Sequence, residues 1–411
     1  MKATIISVGT ELLFGQTTDT NSVYLSRQLQ LLGIDVMYHH TVGDNAARFR
    51  RILELSYDDC DLVVTTGGLG PTQDDLTKET VAEALGDALA PDPASLASIE
   101  AFFARIGREM TDNNRKQALL PSKADIFPNR EGTAPGFALE TGGRAAVCLP
   151  GPPREMTAMF ERSARPWLAG RAEGIIYHRT LRTFGIGESA LEAALEDLIS
   201  AQTDPTLATY AKEGECSLRI ASKRADAAEA QRAVAEMQGA VMDRIGRYVY
   251  SDSDEELAQV VAGRLIERGL SISSAESCTG GMFAAALTDI PGISAVFDRG
   301  IVAYSDRAKT EELGVPRETI ERHGAVSRET ALAMARGLKA LTGSRVAVSV
   351  TGIAGPEGAT DEKPVGLAHM ACVFDDRERC EEIRTRNVSR VWNRRYAVLH
   401  MLSMLLREIS D

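Results

Sequence analysis

The chain has no long apolar run. Among its 411 residues, no uninterrupted apolar segment approaches the roughly 18 residues that a membrane-spanning helix needs. The apolar run Met1–Val8 is interrupted by Gly9-Thr10-Glu11 too early for a signal peptide, so its pattern predicts a first β-strand instead. Low-complexity tracts and fixed-period repeats are also missing, which excludes a repeat architecture. We therefore expect a protein without membrane contact.

Cysteine is scarce and scattered. The six cysteines form no C-x-x-C pair, and no histidine lies near them at the spacing of a zinc finger. Their positions are Cys60, Cys148, Cys216, Cys278, Cys372 and Cys380. This distribution predicts free thiols in a reducing compartment, so we expect a cytoplasmic protein.

Basic residues are outnumbered by acidic ones. The sequence has 46 lysines and arginines against 58 aspartates and glutamates, which gives a formal net charge of −12. Affinity for the phosphates of nucleic acids comes mainly from clustered Lys and Arg, so direct nucleic-acid binding is not expected. Acidic nucleotides can still bind where local basic groups or helix N-termini meet them.

The length and the pattern of the chain predict several domains. A chain of 411 residues exceeds what one hydrophobic core usually supports. Near the N-terminus, strand-like runs alternate with amphipathic stretches, which is typical of βαβ units with a parallel sheet covered by helices. The predicted elements are strands at Ala3–Val8, Asp35–Val42 and Leu62–Thr66 and helices at Asn21–Leu32 and Ala46–Tyr57. We therefore assign residues 1–168 to a first α/β domain.

The pattern changes in residues 169–250. Predicted strands at Tyr177–Thr183 and Cys216–Ser222 surround predicted helices at Ser189–Ser200 and Ala225–Ile245, which indicates a small α+β module. Its Gly185–Glu188 turn and the basic Lys223-Arg224 resemble a KH-type nucleic-acid module. A scaffold that spaces its neighbours and supports dimer contacts is the alternative interpretation.

Residues 251–411 form the third predicted domain. The acidic segment Asp252–Glu256 favours the start of a helix, because negative charge stabilises a helix N-terminus. The domain closes with a predicted helix from Trp392 to about Ile409. That helix is rich in Leu and Met, so we expect it to favour a homodimer.

A first candidate site follows the predicted strand Leu62–Thr66. Gly67, Gly68 and Gly70 allow close approach of a ligand and offer N–H groups to an anion. Asp74 and Asp75 follow them, and adjacent carboxylates can hold a hard divalent cation that bridges phosphate oxygens. The pattern predicts a metal-assisted nucleotide site. Capping of a helix that begins near Leu76 is the alternative role for the two aspartates.

Further residues of the first domain are candidates for the same pocket. Gly9, Thr10 and Glu11 form a second turn after a strand, and the turn can bring the Glu11 carboxylate to the pocket. Asp19 and Asn21 can also touch the ligand, although capping of the next helix is the favoured role for both. Three further candidates can neutralise phosphate or lie on a solvated helix face, namely Arg115, Lys116 and Gln117.

A second candidate site lies at the segment AESCTGG, residues 275–281. The apolar run Leu270–Ile272 precedes it and the helical stretch Met282–Leu287 follows it, which places Ser277 at a strand-to-helix turn. The backbone N–H groups of Thr279, Gly280 and Gly281 are predicted to point outward at the positive end of the helix. Such a turn can hold a nucleophile and an oxyanion together, although a plain glycine-rich turn explains the same pattern.

Ser277 needs a base, and no histidine lies near it in sequence. Lys309 and Tyr304 follow the next predicted strand; a lysine whose pKa is lowered by burial can act as a general base, and a tyrosine can relay the proton. A solvated Lys309 and a packed Tyr304 ring are the alternatives. Cys278 is expected to be a buried, inert thiol.

A third glycine turn completes the predicted pocket. Gly352 and Gly355, with Gly358, follow the β-rich run at Val348–Thr351 and can bind an anion. Arg390 and Arg394 can add positive charge for a phosphate. If this turn and the AESCTGG turn meet at the C-terminal edge of a parallel sheet, where α/β proteins bind their ligands, they would enclose a pocket.

Together, these segments resemble the CinA family of competence/damage-inducible proteins over nearly the whole chain. The matching motifs are GTELLFGQTTDTNS at Gly9–Ser22, VVTTGGLGPTQDDLT at Val63–Thr77, NREGTAPG at Asn129–Gly136, LPGPPREM at Leu149–Met156, and AESCTGG, AYSDRAK and TGIAGP in the last domain. The resemblance implies a three-layer α/β domain like those of molybdopterin-cofactor biosynthesis, a KH-like α+β module and a C-terminal α/β amidase domain. The sequence departs from the family pattern at two places. Glu357 and Ala359 interrupt a run that is often richer in glycine, and Val388-Ser389 precedes Arg390 where Gly-Asp is common in the family.

The resemblance also implies two activities of pyridine-nucleotide salvage. The last domain is expected to convert nicotinamide mononucleotide to nicotinic acid mononucleotide and ammonia without a cofactor, with Ser277 as nucleophile and Lys309 and Tyr304 moving the proton. The first domain is expected to hydrolyse ADP-ribose with a divalent metal (Mg, Mn or Co) at Asp74 and Asp75. A homodimer is implied as well. The alternatives are a pterin-binding or adenylyl-transferring first domain, and a non-enzymatic partner in competence or DNA damage.

Overall fold

The computed structural model describes residues 1–171, 175–212, 214–385 and 388–410. The chain divides into two compact units, of which one contains Met1–Tyr177 and Ser222–Ala233 and the other contains His178–Ala221 and Val234–Asp411. Helices and mixed sheets alternate in both units, which confirms the predicted α/β class.

The first domain begins with the predicted alternation of strands and helices. Its strands are β1 (Lys2–Val8), β2 (Asp35–Val42), β3 (Leu62–Thr66), β4 (Leu89–Pro91), β5 (Leu119–Pro121), β6 (Asp125–Phe127), β7 (Gly136–Thr141) and β8 (Arg144–Leu149). Its helices are α1 (Thr10–Leu13), α2 (Thr20–Leu31), α3 (Ala46–Asp59), α4 (Thr77–Ala84), α5 (Pro93–Arg105), α6 (Pro153–Met159) and α7 (Arg165–Ala169), and the segment Phe160–Ala164 between the last two is π-helical.

Six of these strands form one sheet in the order β2-β1-β3-β8-β7-β6. The pairs β1–β2, β1–β3 and β3–β8 are parallel, and β7 and β6 are antiparallel additions. Successive residues of β3 face opposite sides, so Val64 packs in one apolar cluster with Leu25 and Val63 packs in another with Phe49. Helices therefore cover both faces, which gives the three-layer architecture.

The middle module contains a four-stranded sheet in the order β10-β11-β9-β12. Its elements are β9 (Ile175–Phe184), α8 (Glu188–Ala201), β10 (Thr206–Lys212), β11 (Glu215–Arg224), α9 (Ala227–Ile245) and β12 (Val249–Ser251). The sequence did not predict β10, because this edge strand exposes most of its residues and lacks an apolar alternation.

The last domain contains a five-stranded sheet in the order β14-β13-β15-β16-β17. Its strands are β13 (Ile272–Glu276), β14 (Phe297–Val302), β15 (Val346–Gly352), β16 (Leu367–Phe374) and β17 (Arg377–Arg384). Its helices are α10 (Leu257–Glu267), α11 (Met282–Thr288), α12 (Asp306–Leu313), α13 (Arg317–His323), α14 (Arg328–Thr342) and α15 (Arg390–Ser410). Because β14, β13 and β15 are parallel, the turns that follow them meet at one edge of the sheet.

The apolar face of the terminal helix α15 packs inside its own domain. Its Leu and Met side chains, including Met401, Leu402, Met404 and Leu405, are buried in the apolar cluster of that domain. The expected homodimer stays a prediction.

None of the helices within the described residues is long and apolar enough to cross a bilayer.

Candidate active sites

Ser277 lies directly after the C-terminal end of β13. Its backbone N–H donates a hydrogen bond to the carbonyl of Val350 on the parallel neighbour β15 (3.0 Å), and α11 begins five residues later at Met282. The predicted strand-to-helix turn is therefore present at the edge of the sheet where ligands of α/β proteins bind. The Ser277 side chain is largely buried.

Lys309 reaches Ser277 from the neighbouring helix α12. The helix begins after Ser305, whose hydroxyl accepts a hydrogen bond from the Ala308 N–H (3.1 Å). Lys309 is only 1% exposed, and its Nζ lies 3.0 Å from Ser277 Oγ. The alternative of a solvated lysine does not fit this burial.

The surroundings of Lys309 make its neutral amine easier to form than that of a lysine in water. Burial lowers the pKa of Lys309, because a charged group loses hydration inside the domain. Its Nζ also donates to the backbone carbonyls of Ala303 (3.1 Å) and Tyr304 (3.0 Å). In the structure Nζ donates to Ser277 Oγ as well. When the amine is neutral, two N–H groups suffice for the two carbonyls and its lone pair can accept the Ser277 hydroxyl proton. The pair can thus act as nucleophile and general base.

The Tyr304 phenol does not take the predicted relay position. Its side chain is 58% exposed, and its hydroxyl accepts a hydrogen bond from Arg390 Nη2 (2.9 Å). Arg390 Nη1 donates to the Gly355 carbonyl (2.6 Å). Arg390 therefore links two loops at the edge of the site, and Tyr304 contributes its backbone carbonyl to Lys309.

Two of the predicted oxyanion donors are already occupied. The Gly280 N–H donates to the Ser277 carbonyl (3.1 Å), and the Gly281 N–H donates to the Glu276 carboxylate (3.0 Å). The expectation that these two N–H groups face a ligand is therefore wrong. In the described part of the chain, the N–H groups of Cys278 and Thr279 form no hydrogen bond to another residue, so they remain as donors beside Ser277.

The other predicted residues of this site have packing roles in the structure. A methyl group on Gly352 would lie 2.7 Å from the Ala368 side chain, and one on Gly355 would lie 2.5 Å from Val365. Arg394 donates to the Thr279 carbonyl (2.7 Å). The Cys278 thiol is buried, which raises its pKa to about 11, so it is neutral and unreactive near pH 7.

A separate cleft of about 460 Å³ lies in the first domain, where the turns after the parallel strands β1 and β3 meet. It brings together seven of the eight predicted residues, namely Gly9, Glu11, Gly67, Gly68, Gly70, Asp74 and Asp75. The eighth residue, Thr10, lies outside the lining and donates through its N–H (3.0 Å) and hydroxyl (2.7 Å) to Asp44, which does line the cleft.

The glycine at position 67 is required by a close approach. Gly67 has a φ of +100°, and a methyl group there would lie 2.1 Å from the Val8 carbonyl oxygen. A side chain is excluded on both grounds, so the β3 turn can pass directly over the end of β1.

The two aspartates do not cap the next helix. Helix α4 begins after Leu76, and no side chain accepts a hydrogen bond at its start. Asp75 instead accepts from the N–H (2.8 Å) and hydroxyl (2.6 Å) of Thr72, which closes a turn at the cleft, while Asp74 is exposed. The capping alternative is therefore wrong for this helix.

The remaining candidates of the first domain take different positions. Asp19 caps α2 through the Ser22 N–H (3.0 Å), as favoured from the sequence. Asn21 instead donates to the Thr66 hydroxyl (2.8 Å) and the Gly151 carbonyl (2.7 Å). Gln117 lines the cleft, Lys116 donates to the backbone carbonyls of Thr72 and Asp75, and Arg115 is exposed beside Glu100 and Asp112.

The charged residues that line the cleft are all acidic. Its lining contains the carboxylates of Glu11, Asp44, Asp74, Asp75 and Glu155 and no lysine or arginine. Within the described residues, no three His, Cys, Asp or Glu side chains are grouped to hold a metal by themselves. The donors therefore fit a hard cation that takes one or two carboxylates and completes its coordination with water and phosphate oxygens.

Three family models match consecutive parts of the chain. The model described as "Probable molybdopterin binding domain" matches residues 4–170, "Damage-inducible protein CinA KH domain" matches 178–251, and "CinA C-terminal domain" matches 254–409. A relative from Acetivibrio thermocellus, named as competence-damage inducible, is 47% identical over 410 residues and covers 100% of this chain and 99% of its own. The chain belongs to the CinA family. A CinA-like protein of Dictyoglomus turgidum is 45% identical over 411 residues and is covered completely.

Solved structures match parts of this CinA-family chain. The competence/damage inducible protein CihA from Agrobacterium tumefaciens is 44% identical, and the match covers 38% of this chain and 98% of that chain with a TM-score of 0.36.

Three carboxylates at the sites of this CinA-family chain were not predicted from the sequence. Glu276 is buried beside Ser277, and Asp44 and Glu155 line the acidic cleft. The signal for Glu276 was an acidic residue at the end of a predicted strand, where burial requires hydrogen-bond partners. Asp44 and Glu155 lie far from the β3 turn in sequence, so only the folded chain brings them to it.

Proposed function

We propose that the last domain is a serine amidase that converts nicotinamide mononucleotide to nicotinic acid mononucleotide and ammonia. The observation that carries this proposal is the buried contact of 3.0 Å between Lys309 Nζ and Ser277 Oγ. A buried lysine beside a serine is a base and nucleophile pair that needs no cofactor. The family resemblance supplies the substrate.

The proposed reaction proceeds through an acyl-enzyme. Ser277 Oγ attacks the carboxamide carbon while Lys309 accepts the hydroxyl proton. The N–H groups of Cys278 and Thr279 stabilise the negative oxygen of the tetrahedral intermediate. Lys309 then donates its proton to the leaving nitrogen as ammonia departs. Water attacks the ester with Lys309 again as base, which releases the acid and restores the serine.

The experiment compares Ser277→Ala with Ser327→Ala in the full chain. We expect Ser277→Ala to lower ammonia release from nicotinamide mononucleotide by at least about 1,000-fold, because the nucleophile is lost. The matched variant Ser327→Ala removes a buried serine hydroxyl in the same domain and should stay within about threefold of the parent, since that hydroxyl bonds Gly324 and Thr330 at the start of α14. Ammonia and the acid product are quantified by mass spectrometry. Parental activity in Ser277→Ala would remove this serine from the mechanism.

We propose a second activity for the first domain, the metal-dependent hydrolysis of ADP-ribose to AMP and ribose 5-phosphate. The acidic cleft with glycine turns supports this proposal, because its carboxylates can bind a pyrophosphate only through a cation. A divalent ion such as Mg, Mn or Co would neutralise the phosphates and polarise the phosphorus–oxygen bond. Asp74 and Asp75 are the proposed ligands, and the glycine turns leave room for the pyrophosphate.

The second test uses conservative amide variants of the first domain. Asp75→Asn keeps an oxygen for the Thr72 N–H but loses the charge, and Asp74→Asn loses the charge of an exposed side chain. We expect each variant to lower the rate of AMP formation at least about tenfold and to raise the metal concentration needed for half-maximal activity. Asp112→Asn is the control, since this exposed carboxylate does not line the cleft. Parental rates and metal dependence in both cleft variants would contradict the proposal.

The setting of both activities is also proposed. Six unpaired cysteines support a reducing cytoplasm, and the family resemblance supports a homodimer. The net charge of −12 argues against direct nucleic-acid binding. Sedimentation of the purified chain tests the dimer. Binding of a pterin to the first domain without hydrolysis of ADP-ribose, or cellular function in a variant that lacks both Ser277 and Asp75, would instead favour a binding or partner role.

A further inference from the structure

Glu276 is the last residue of β13 and is buried, with 1% exposure. Its carboxylate accepts three backbone hydrogen bonds from the start of α11. Oε2 accepts from the N–H groups of Gly281 (3.0 Å) and Phe283 (3.1 Å), and Oε1 accepts from Ala284 (2.9 Å). Gly281 precedes the helix and has no side chain of its own for this purpose. The carboxylate therefore satisfies the N–H groups that a helix leaves free at its start.

The carboxylate also closes a ring around the nucleophile. The chain leaves β13 at Glu276, passes through Ser277 and returns at Gly281 to the same side chain. Within this ring, the Ser277 N–H donates a hydrogen bond to the Val350 carbonyl on β15, and the Gly280 N–H donates one to the Ser277 carbonyl. The position of Ser277 is thus fixed by the strand on one side and by the Glu276 carboxylate on the other.

We infer that Glu276 is a positioning residue of the amidase site, an inference that rests on the proposed function. By occupying the N–H groups of Gly281, Phe283 and Ala284, it holds the turn that presents Ser277 Oγ to Lys309. The same turn leaves the N–H groups of Cys278 and Thr279 as the free donors.

Two observations separate this role from an electrostatic one. Among the described residues, no basic side chain forms an ion pair with Glu276, and Lys309 reaches Ser277 from α12 on another element. A negative charge beside a forming oxyanion also opposes it, so the charge does not stabilise the transition state. The hydrogen bonds of Glu276 are therefore the property that matters.

The experiment orders variants by the hydrogen bonds that they keep. Glu276→Gln retains one carbonyl oxygen and can keep two of the three bonds, whereas Glu276→Ala keeps none. We expect kcat for ammonia release to fall about tenfold in Glu276→Gln and about 100-fold or more in Glu276→Ala, because small misplacements of a nucleophile are costly. KM should change less than about threefold. The midpoint of the rise of kcat/KM with pH, which reports the deprotonation of Lys309, should not shift.

Amide hydrogen exchange supplies a readout that needs no substrate. In Glu276→Ala, we expect faster exchange at Gly281, Phe283 and Ala284 with the rest of the domain unchanged. Ser327→Ala is the matched control, because Ser327 caps α14 through the Thr330 N–H (3.2 Å) in the same domain. It should speed exchange at α14 and leave kcat at the parental value.

The outcomes are distinct. Parental exchange at the three amides in Glu276→Ala overturns the positioning role, and so does a parental kcat with raised exchange. A shifted pH limb in Glu276→Gln also overturns it, since this would mean that the charge acts on Lys309. Should the parent chain release no ammonia, the proposed function fails, while exchange still decides whether Glu276 holds the turn. Glu276→Gln, as the milder change, covers the case in which Glu276→Ala does not fold.

Discussion

Lys309 shows how one buried residue acquires a chemical role. A lysine in water has a pKa near 10.5 and is charged at neutral pH. Lys309 lies on α12 near the end of β14, where its amine loses hydration. Hydrogen bonds from Nζ to two backbone carbonyls and to the Ser277 hydroxyl replace the lost bonds to water. No carboxylate forms an ion pair with Lys309 among the described residues, and burial lowers its pKa, so the neutral amine that can accept a proton is reached at a lower pH than in a free lysine.

The proposed amidase activity should depend on pH through Lys309. The folded pKa of Lys309 lies below 10.5, so its neutral fraction grows at a lower pH than that of a free lysine. We expect kcat/KM for nicotinamide mononucleotide to rise with pH on a limb whose midpoint lies below 10.5. Lys309→Arg, which stays protonated, should lose about 100-fold or more at every pH. A limb at or above 10.5, or an active Lys309→Arg, would contradict the role of the lysine as base.

At the scale of elements, the Ser277 turn depends on a close approach between two segments. Gly280 has a φ of +59°, and a methyl group there would lie 3.1 Å from Arg394 Nη2 on α15. Arg394 in turn donates to the Thr279 carbonyl, so α15 supports the turn that carries Ser277.

A pair of glycine variants isolates this contact. Gly280→Ala adds backbone strain and displaces Arg394, whereas Gly343→Ala at the end of α14 adds strain only, because Gly343 has a φ of +70° and open space around it. Both variants should lose roughly 1 kcal/mol of stability from the strained backbone. Only Gly280→Ala should lower kcat for ammonia release. The two variants are compared by thermal unfolding and steady-state kinetics, and equal kcat values would mean that the Arg394 contact is irrelevant to the turn.

At the scale of the whole molecule, one aromatic group links the middle module to the last domain within the second unit. The rings of Phe184 at the end of β9 and Tyr396 on α15 both contact His400, with centroids 4.8 and 4.6 Å away. Burial lowers the pKa of His400 to about 4, so the ring is neutral in the folded chain near pH 7.

This histidine predicts acid sensitivity of the second unit. The folded pKa of about 4 lies below the unfolded value of 6.5, so the unfolded chain binds more protons between these values. The stability contributed by neutral His400 is complete above pH 6.5 and is lost as the pH falls toward 4. We expect His400→Phe, which keeps a ring but cannot titrate, to reduce the fall of Tm over this range. Thermal unfolding of both chains at several pH values measures it, and identical slopes would show that His400 does not titrate on unfolding.

Local pattern determined the elements of this protein to a large extent. The bounds of β2 and β3 were predicted to the residue, and α2, α3 and α15 to within two residues, because apolar periodicity and flanking turn residues are properties of short segments. The edge strand β10 was missed, since an exposed strand carries little periodicity. The motifs also sufficed to identify the CinA family and to select Ser277, Lys309 and the glycine turns.

Only the tertiary structure decided which atoms meet. The sequence places Lys309 and Ser277 32 residues apart, and their contact depends on the parallel pairing of β13 with β14 and the packing of α12. In the same domain, the Tyr304 phenol meets Arg390, which lies 86 residues further along the chain. In the first domain, folding brings Asp44 and Glu155 to the acidic cleft. Residue types and local periodicity specify elements and candidate chemistry, whereas hydrogen-bond partners and burial depend on segments distant in sequence, which no local pattern encodes.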